Sequence, residues 1–394
     1  MKILVANLGS TSFKYRLFDM DGGGQLARGG IERIGSAESR CTLEIGGRRH
    51  ELAACVPDHA EAVRCSMEQL TDPAHGCISD AAEIAAIGFK AVHGGRLSGV
   101  RRVTPDVLAA MEDFADVAPA HNPPYIAAMR LLGEKLPEVP LIAVFETDFH
   151  RTIPVRNRCY AVPFDWAEDH LVRRWGFHGA SHRYIAERTT ELLGPGKRVI
   201  SCHLGGSSSL CAIRDGQSAA TSMGFSPQSG LPQNNRAGDI DPFILPTMMK
   251  RTGKPLAELL DDLSSRGGLL GLSGTSGDLR DIEEAAAAGN ARARLAWDVF
   301  ASAVRHYLGA YLVELGGAEA IVFTGGIGEN RAEFRAAVCQ NLEELGIALD
   351  EQANRAASGE AKISSPESRV QIWIIPTNEE LIVARLAAKL LSEG

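Results

Sequence analysis

Apolar residues along the chain fall into two arrangements. Short runs with few polar breaks, such as ILVA at 3–6, AAIGFKAV at 85–92 and VPLIAVF at 139–145, have the length of strands covered on both faces. RVISC at 198–202 and EAIVF at 319–323 repeat that pattern. Elsewhere the apolar positions recur every three or four residues. That spacing predicts helices over 58–70, 105–116, 124–136, 179–193, 241–251, 255–265, 278–288 and 291–316. Pro105 and Pro124 stand where a first helical turn tolerates proline. Residues 2–7 and 12–19 read as paired strands, and 198–206, 207–216 and 217–225 as a second strand group. A final strand from Arg369 and an amphipathic helix close the chain.

The two strand groups begin alike. NLGSTSFK (7–14) follows ILVA, and HLGGSSSL (203–210) follows VISC. Each sets Leu-Gly before a cluster of hydroxyl residues. Such a turn exposes backbone N–H groups and hydroxyls that suit phosphate oxygens or a metal-bound water. A single one reads as a polar hairpin turn. Two, each after an apolar strand, predict two α/β halves of related design holding one polyphosphate between them. Lys14 lies on the Ser12 face of its strand and adds a point charge.

Composition narrows the class. The chain has 394 residues, which favours two domains. Apolar content of 45% and charged content of 23% read as soluble and globular. A net charge of -8 without a basic block argues against nucleic acid as the main partner. The eight cysteines include no C-x-x-C pair, and the start MKILVANLG is too short for a secretory h-region. Both point to reduced thiols and a cytoplasmic protein. The helix over 291–316 carries Arg292, Arg294, Asp298, Arg305 and His306, so it does not span a membrane.

Three loops add chemistry. TGGIGEN (324–330) is a glycine turn opening a helix, but it is not G-x-G-x-x-G and does not support a dinucleotide site. Its glycines allow a flat group such as adenine to approach the backbone. RRWGFHGASH puts His178 and His182 near a helix start; no carboxylate or Cys at ligand spacing supports zinc there. Arg236 precedes a helix in a polar loop. An isolated arginine there is usually solvated, yet arginine also suits charge building on a transferring phosphoryl group.

Together MKILVANLGSTSFKYRLFDMDG, AVHGG, HNPP, FETDFHRTIP, WGFHGASH, HLGG, SMGFSP, RAGDIDP, FTGGIGEN and PTNEEL resemble, in order and spacing, the motifs of acetate kinases. The resemblance runs from Lys2 to about Arg385. It implies a duplicated α/β fold of the actin and ribonuclease-H type with a cleft between domains, spanning 1–148 with 380–394, and 149–379. It implies phosphoryl transfer from ATP to a short-chain carboxylate such as acetate or propionate, with Mg²⁺ (Mn²⁺ as substitute) and a homodimer joined through the C-terminal domain. By matching position, Asn7 and Glu379 lie at the metal, and Ser10, Ser12 and Lys14 at the phosphates. His178 and Arg236 stabilise the transition state. His203, Leu204, Gly205, Gly206, Ser207, Asp278, Leu279, Arg280, Gly326, Ile327, Gly328, Glu329 and Asn330 match the nucleotide site. Val92, Phe177 and Pro227 match an apolar acyl pocket.

The same comparison shows five departures. Lys90 stands for a substrate-side Arg, keeping charge but losing the bidentate fork. Glu146 stands for a catalytic Asp, with Asp148 two residues on. Gly206 and Ser207 replace an Asn-Gly, Ala120 replaces a pocket Leu, and LPQNN precedes Arg236 where the family has another segment. These make another acid or another donor, such as pyrophosphate, the alternative, with a nucleotide-sensing protein of low turnover behind it. Three expectations follow. Glu146, paired with Lys90, takes the Asp role, both carboxylates facing one way along a strand. Ala120 leaves room for acids larger than acetate. The helix over 291–316, apolar on more than one face at Leu295, Val299, Phe300, Val304, Leu308, Tyr311 and Leu312, lies near the dimer contact.

Overall fold

The structure, a computed structural model, describes every residue except Ser10, Gly23, Ala37, Ala120 and Gly394. The expectations for Ser10 and Ala120 therefore lie outside the described residues. Backbone contacts divide the chain into one unit of Met1–Asp148 with Asn378–Gly394, and another of Phe149–Thr377.

The first unit holds β1 (Lys2–Gly9), β2 (Ser12–Asp19), β3 (Gly24–Glu32), β4 (Ser39–Ile45), β5 (Arg48–Ala54), β6 (Ile84–Ala91), β7 (Val100–Arg102) and β8 (Leu141–Phe145). They form one sheet in the order β5-β4-β3-β2-β1-β6-β8-β7. The second unit holds β9 (Arg198–His203), β10 (Ser209–Arg214), β11 (Gln217–Thr221), β12 (Ala320–Thr324), β13 (Ala361–Lys362) and β14 (Gln371–Ile374), ordered β11-β10-β9-β12-β14-β13.

A common centre runs through both. In the first sheet β3-β2-β1 is antiparallel and β1-β6-β8 parallel. In the second, β11-β10-β9 is antiparallel and β9-β12-β14 parallel. The repeated Leu-Gly turn thus joins the first two strands of each sheet. Central strands are covered on both faces, which is why they read as near-continuous apolar runs. In the first unit, helices His59–Leu70, Pro105–Glu112 and Asn122–Lys135 bury one sheet face around Leu4, Phe13, Tyr15 and Phe89. Helix Glu379–Glu393 covers the other, packing Val383, Ala384 and Ala387 on Ile3, Val5, Ala86 and Val144. Gly88 makes that approach possible: a Cβ there would lie 2.9 Å from Val383 Cγ1. In the second unit Ala291–Leu315 covers one face, through Phe300, Val304 and Leu308, and Gly179–Leu193 the other, through Ile185 and Ala186.

Three sequence expectations need correction. The strand expected over 217–225 ends at Thr221. The helix expected over 105–116 ends at Glu112, because the following residues form turns. Glu146 and Asp148 do not share a strand face: β8 stops at Phe145, Glu146 and Thr147 are in a turn, and Asp148 opens a 3₁₀ helix. Period-two alternation does not reach them.

Candidate active site

In each sheet the candidate residues gather at the C-terminal ends of the parallel strands, where open α/β sheets place ligands. In the first unit Asn7 lies near the end of β1, Lys90 near the end of β6, and Glu146 just past β8. Glu146 is buried, 5% exposed, and its N–H donates to Ala91 O at 2.8 Å. Glu379 opens the helix on the far side of the sheet. Its carboxylate accepts from the Lys90 ammonium. The sequence expects Glu146 as the electrostatic partner of Lys90; Glu146 does act on that charge, and the ion pair itself is with Glu379, 289 residues away in sequence. Burial on its own would push the Lys90 ammonium down; the carboxylates of Glu379 and then Glu146, with the Tyr125 phenol, reverse this and hold it well above its usual range.

Tyr125, which the sequence did not single out, ties this group to the first turn. Its hydroxyl donates to Asn7 Oδ1 at 3.1 Å and accepts from Leu8 N–H at 3.4 Å. Burial raises its pKa, keeping the hydroxyl a donor. Asn7 pairs across the strands with Lys14, and Gly9 with Ser12. Lys14 is exposed and lines a cavity of about 310 Å³ with Asn7, Arg16, Arg28 and Glu380. Val92 is buried.

The second unit works with neutral groups. His178 caps the helix Gly179–Leu193 in the left-handed region, at φ 56°. That is a strained conformation for a non-glycine residue, of the kind that concentrates at functional sites. His178 Nδ1 lies 2.8 Å from Ser209 Oγ, and the same hydroxyl lies 2.9 Å from His182 Nε2. His182 Nδ1 reaches Ser201 Oγ at 2.9 Å. Ser209 has one proton to give, so the two imidazoles cannot both accept from it. Ser209 therefore donates to one ring and accepts from the other, and the tautomer of His182 sets whether its Nδ1 donates to or accepts from Ser201. Burial pushes His182 well below the ordinary histidine value, so it remains the neutral partner. His203 stacks on His178 with centroids 4.3 Å apart, and its Nδ1 bonds Ser181 Oγ at 2.8 Å.

Arg236 is held by the loop around it. Its Nη1 donates to Gln233 Oε1 at 3.3 Å, Ser207 Oγ at 3.4 Å and Pro227 O at 3.5 Å. None is a carboxylate, and burial lowers its pKa. Gln233, fully buried and not anticipated, is the bridge: Oε1 accepts from Ser207 Oγ at 2.6 Å while Nε2 donates to Pro227 O at 2.9 Å. Phe177 and Pro227 are buried.

The adjoining cavity of about 550 Å³ is lined by Gly205, Gly206, Asn234, Asp278, Leu279, Arg280, Gly326, Ile327, Asn330 and Arg331. Arg280 pairs with Asp278, whose carboxyl it holds down at about 2. Leu204, Gly328 and Glu329 do not line it but shape it. Leu204 O accepts the N–H groups of Ile327 and Gly328 at 2.9 and 3.1 Å. Gly325, at φ +77°, would carry a Cβ 2.6 Å from that oxygen, so only glycine fits. Glu329 accepts from Gly325 N–H at 2.9 Å. Asn234 is a further unpredicted member: a Cβ on Gly206 would lie 3.3 Å from its Nδ2, so its carboxamide occupies the space a side chain at 206 would enter.

A sequence profile of the Acetokinase family matches residues 2–385. The chain belongs to that family. It is 44% identical over 393 residues to the acetate kinase of Bacillus subtilis (strain 168), covering 99% of each chain. It is 45% identical over 388 residues to the propionate kinase of Citrobacter rodentium, covering 98% of this chain and 95% of that one. Among solved structures, the Porphyromonas gingivalis acetate kinase superposes with a TM-score of 0.89 at 39% identity, covering 99% of both chains. The Francisella tularensis propionate kinase does so with 0.88 at 34%, covering 98% of both. The duplicated actin-like fold implied by the sequence is therefore the fold of this Acetokinase family member. No helix among the described residues is long and apolar enough to cross a membrane.

Proposed function

We propose that this chain transfers the terminal phosphoryl group of ATP to the carboxylate of a short-chain acid, acetate or propionate, forming an acyl phosphate and ADP, and runs the reverse reaction. The observation that carries this is similarity to acetate and propionate kinases along nearly the whole chain, with Asn7, Lys14, His178, Arg236 and Glu379 all present. An acid carboxylate is already a nucleophile, so the protein must supply position and positive charge rather than a strong base. Arg236, fixed by Gln233 and Pro227 without a carboxylate to neutralise it, is suited to the equatorial oxygens of the phosphoryl group in flight. His178, oriented through Ser209 and His182, would donate to the same oxygens. The cavity by Asp278, Arg280 and Asn330 has room for adenosine, and a donor without a base, such as pyrophosphate, would leave it unused. Asn234 stands in for the side chain that Gly206 lacks.

Asn7, Glu379 and Glu146 offer oxygen donors of the kind Mg²⁺ takes. When bound, the ion would neutralise charge on the phosphates. Val92, Phe177 and Pro227 would receive the acyl chain, and Ala120 in place of a larger residue favours propionate as a good competitor of acetate, by about 1–3 kcal/mol per methylene. We read the assembly as a homodimer in the cytoplasm. Leu295 and Val313 on the helix Ala291–Leu315 are exposed at 51% and 82%, and Phe243 and Ile244 of the same unit are also exposed. Light scattering should give twice the mass of one chain; a monomer mass would remove the dimer. Hydroxylamine trapping over a panel of acids and donors tests the reaction: acyl hydroxamate from acetate and propionate with ATP is expected, and none from any acid would overturn it.

A further inference from the structure

Lys90 projects from β6 into a cluster of acidic groups. Its ammonium donates to Glu379, and the Glu146 carboxylate and Tyr125 phenol act on the same charge. The pair is largely withdrawn from water, with 27% of the Lys90 and 13% of the Glu379 side chain exposed. Breaking such a pair without replacing either partner leaves an uncompensated charge.

The two residues therefore collide in their assigned roles. Glu379 is a ligand for Mg²⁺, yet it is already neutralised by a cation. Lys90 is a partner for the acid, yet its charge is already engaged. Neither can act while the pair stands; both can act after one exchange, in which the metal takes Glu379 and the ammonium turns to the incoming carboxylate. Charge balances throughout: one cation leaves the protein carboxylate as another arrives, and the released ammonium meets the substrate anion. A lysine suits this, being a point charge on a flexible stem, where an arginine fork would be locked by two bonds.

We propose that Lys90 is an internal stand-in cation that holds Glu379 until the divalent metal arrives and is then handed to the substrate carboxylate, so that metal and acid bind cooperatively. This rests on the reading of Glu379 as metal ligand and of Lys90 as acid partner.

The test uses equilibrium binding to the intact protein without nucleotide, with Mn²⁺ followed by its electron spin resonance signal and acetate by calorimetry. In the wild type, saturating Mn²⁺ should tighten acetate binding by on the order of tenfold, and acetate should tighten Mn²⁺ binding by the same factor, since linkage is reciprocal. Lys90→Met should bind Mn²⁺ roughly tenfold more tightly than wild type and lose the mutual effect. Glu379→Gln should bind acetate more tightly than wild type when no metal is present. Circular dichroism checks that each variant folds; if Lys90→Met does not, the wild-type linkage and Glu379→Gln decide. Unchanged Mn²⁺ affinity in folded Lys90→Met, or acetate binding indifferent to Mn²⁺ in the wild type, would overturn the exchange while leaving the acid site standing. A wild type that binds Mn²⁺ but no short-chain acid would instead remove the acid-site reading, and the exchange with it.

Discussion

The two units share one strand plan and one turn motif but handle charge in opposite ways. At the strand ends of the first unit, charge meets charge: Lys90 sits on Glu379 with Glu146 buried beside it. At the strand ends of the second, hydrogen bonds between neutral groups dominate. His150, His178, His182 and His203 are tied to serines or a backbone carbonyl, and Arg236 is bonded only to neutral oxygens. A duplicated scaffold thus fixes where groups stand, while local partners fix what they can do. An ion pair can trade one ion for another. A guanidinium held by neutral oxygens keeps its full charge for an arriving anion.

The contrast is broken most severely at Arg236. Arg236→Ala should lower kcat by roughly a thousandfold or more while leaving the unfolding transition close to wild type, because one positioned arginine carries much of the charge stabilisation in phosphoryl transfer. Steady-state kinetics with a thermal melt check this, and a change confined to KM would count against that role.

The neutral histidine network makes a pH prediction. His150 Nε2 lies 2.9 Å from Phe177 O, which can only accept, so Nε2 carries the proton and Nδ1 accepts from Ser218 Oγ at 2.9 Å. Burial pushes His150 down to about 4 from 6.5. A depressed histidine contributes stability that is present above its unfolded value and lost as pH falls toward its folded value. Denaturant unfolding should therefore show stability falling between pH 6.5 and 4, with His150 accounting for ~3 kcal/mol. His150→Gln, which can donate and accept in the same places, should flatten that fall in part. His182 shifts in the same direction, so the remainder should persist.

In the charged unit, Glu146→Gln should reduce kcat about a hundredfold, in keeping with losing one positioned charged group, and Asp148→Asn should cost less. The reverse ranking would pass the role to Asp148. Smallest is Tyr125→Phe. It strands Asn7 Oδ1 and Leu8 N–H without the hydroxyl that served both, so unfolding free energy should fall by about 1 kcal/mol, measurable by urea titration. No loss would mean that water takes the hydroxyl's place.

Much of this was legible in the sequence because it is local. The apolar runs gave the central strands, and 3.6-residue spacing gave the helix Gly179–Leu193 residue for residue. The paired Leu-Gly turns gave the duplication. What escaped depends on contacts far apart along the chain or on loop geometry. Glu379 reaches Lys90 only because the last helix returns to the first sheet. Gln233 becomes a bridge only because its loop folds back so that Gln233 N–H bonds Arg236 O, at 3.0 Å. Asn234 meets Gly206 through a backbone bond from Asn234 N–H to Gly206 O, at 3.2 Å. The strand face assigned to Glu146 and Asp148 failed because the strand had already ended.

The returning helix also sets an order of events during synthesis. Ile3, Val5, Ala86, Ile142 and Val144 present one apolar sheet face within the first 148 residues, and the side chains that cover it, Val383, Ala384 and Ala387, come more than two hundred residues later. At about 1.5–3 kcal/mol for each large side chain, that cover is a substantial part of the marginal stability of a domain. While the ribosome is still building the second unit, the first must wait with a bare face and with Lys90 lacking its Glu379 partner. The second unit, contiguous from Phe149 to Thr377, has no such delay. The half of the molecule made first is thus the half finished last, and the ion pair at its centre closes only once residue 379 has left the exit tunnel.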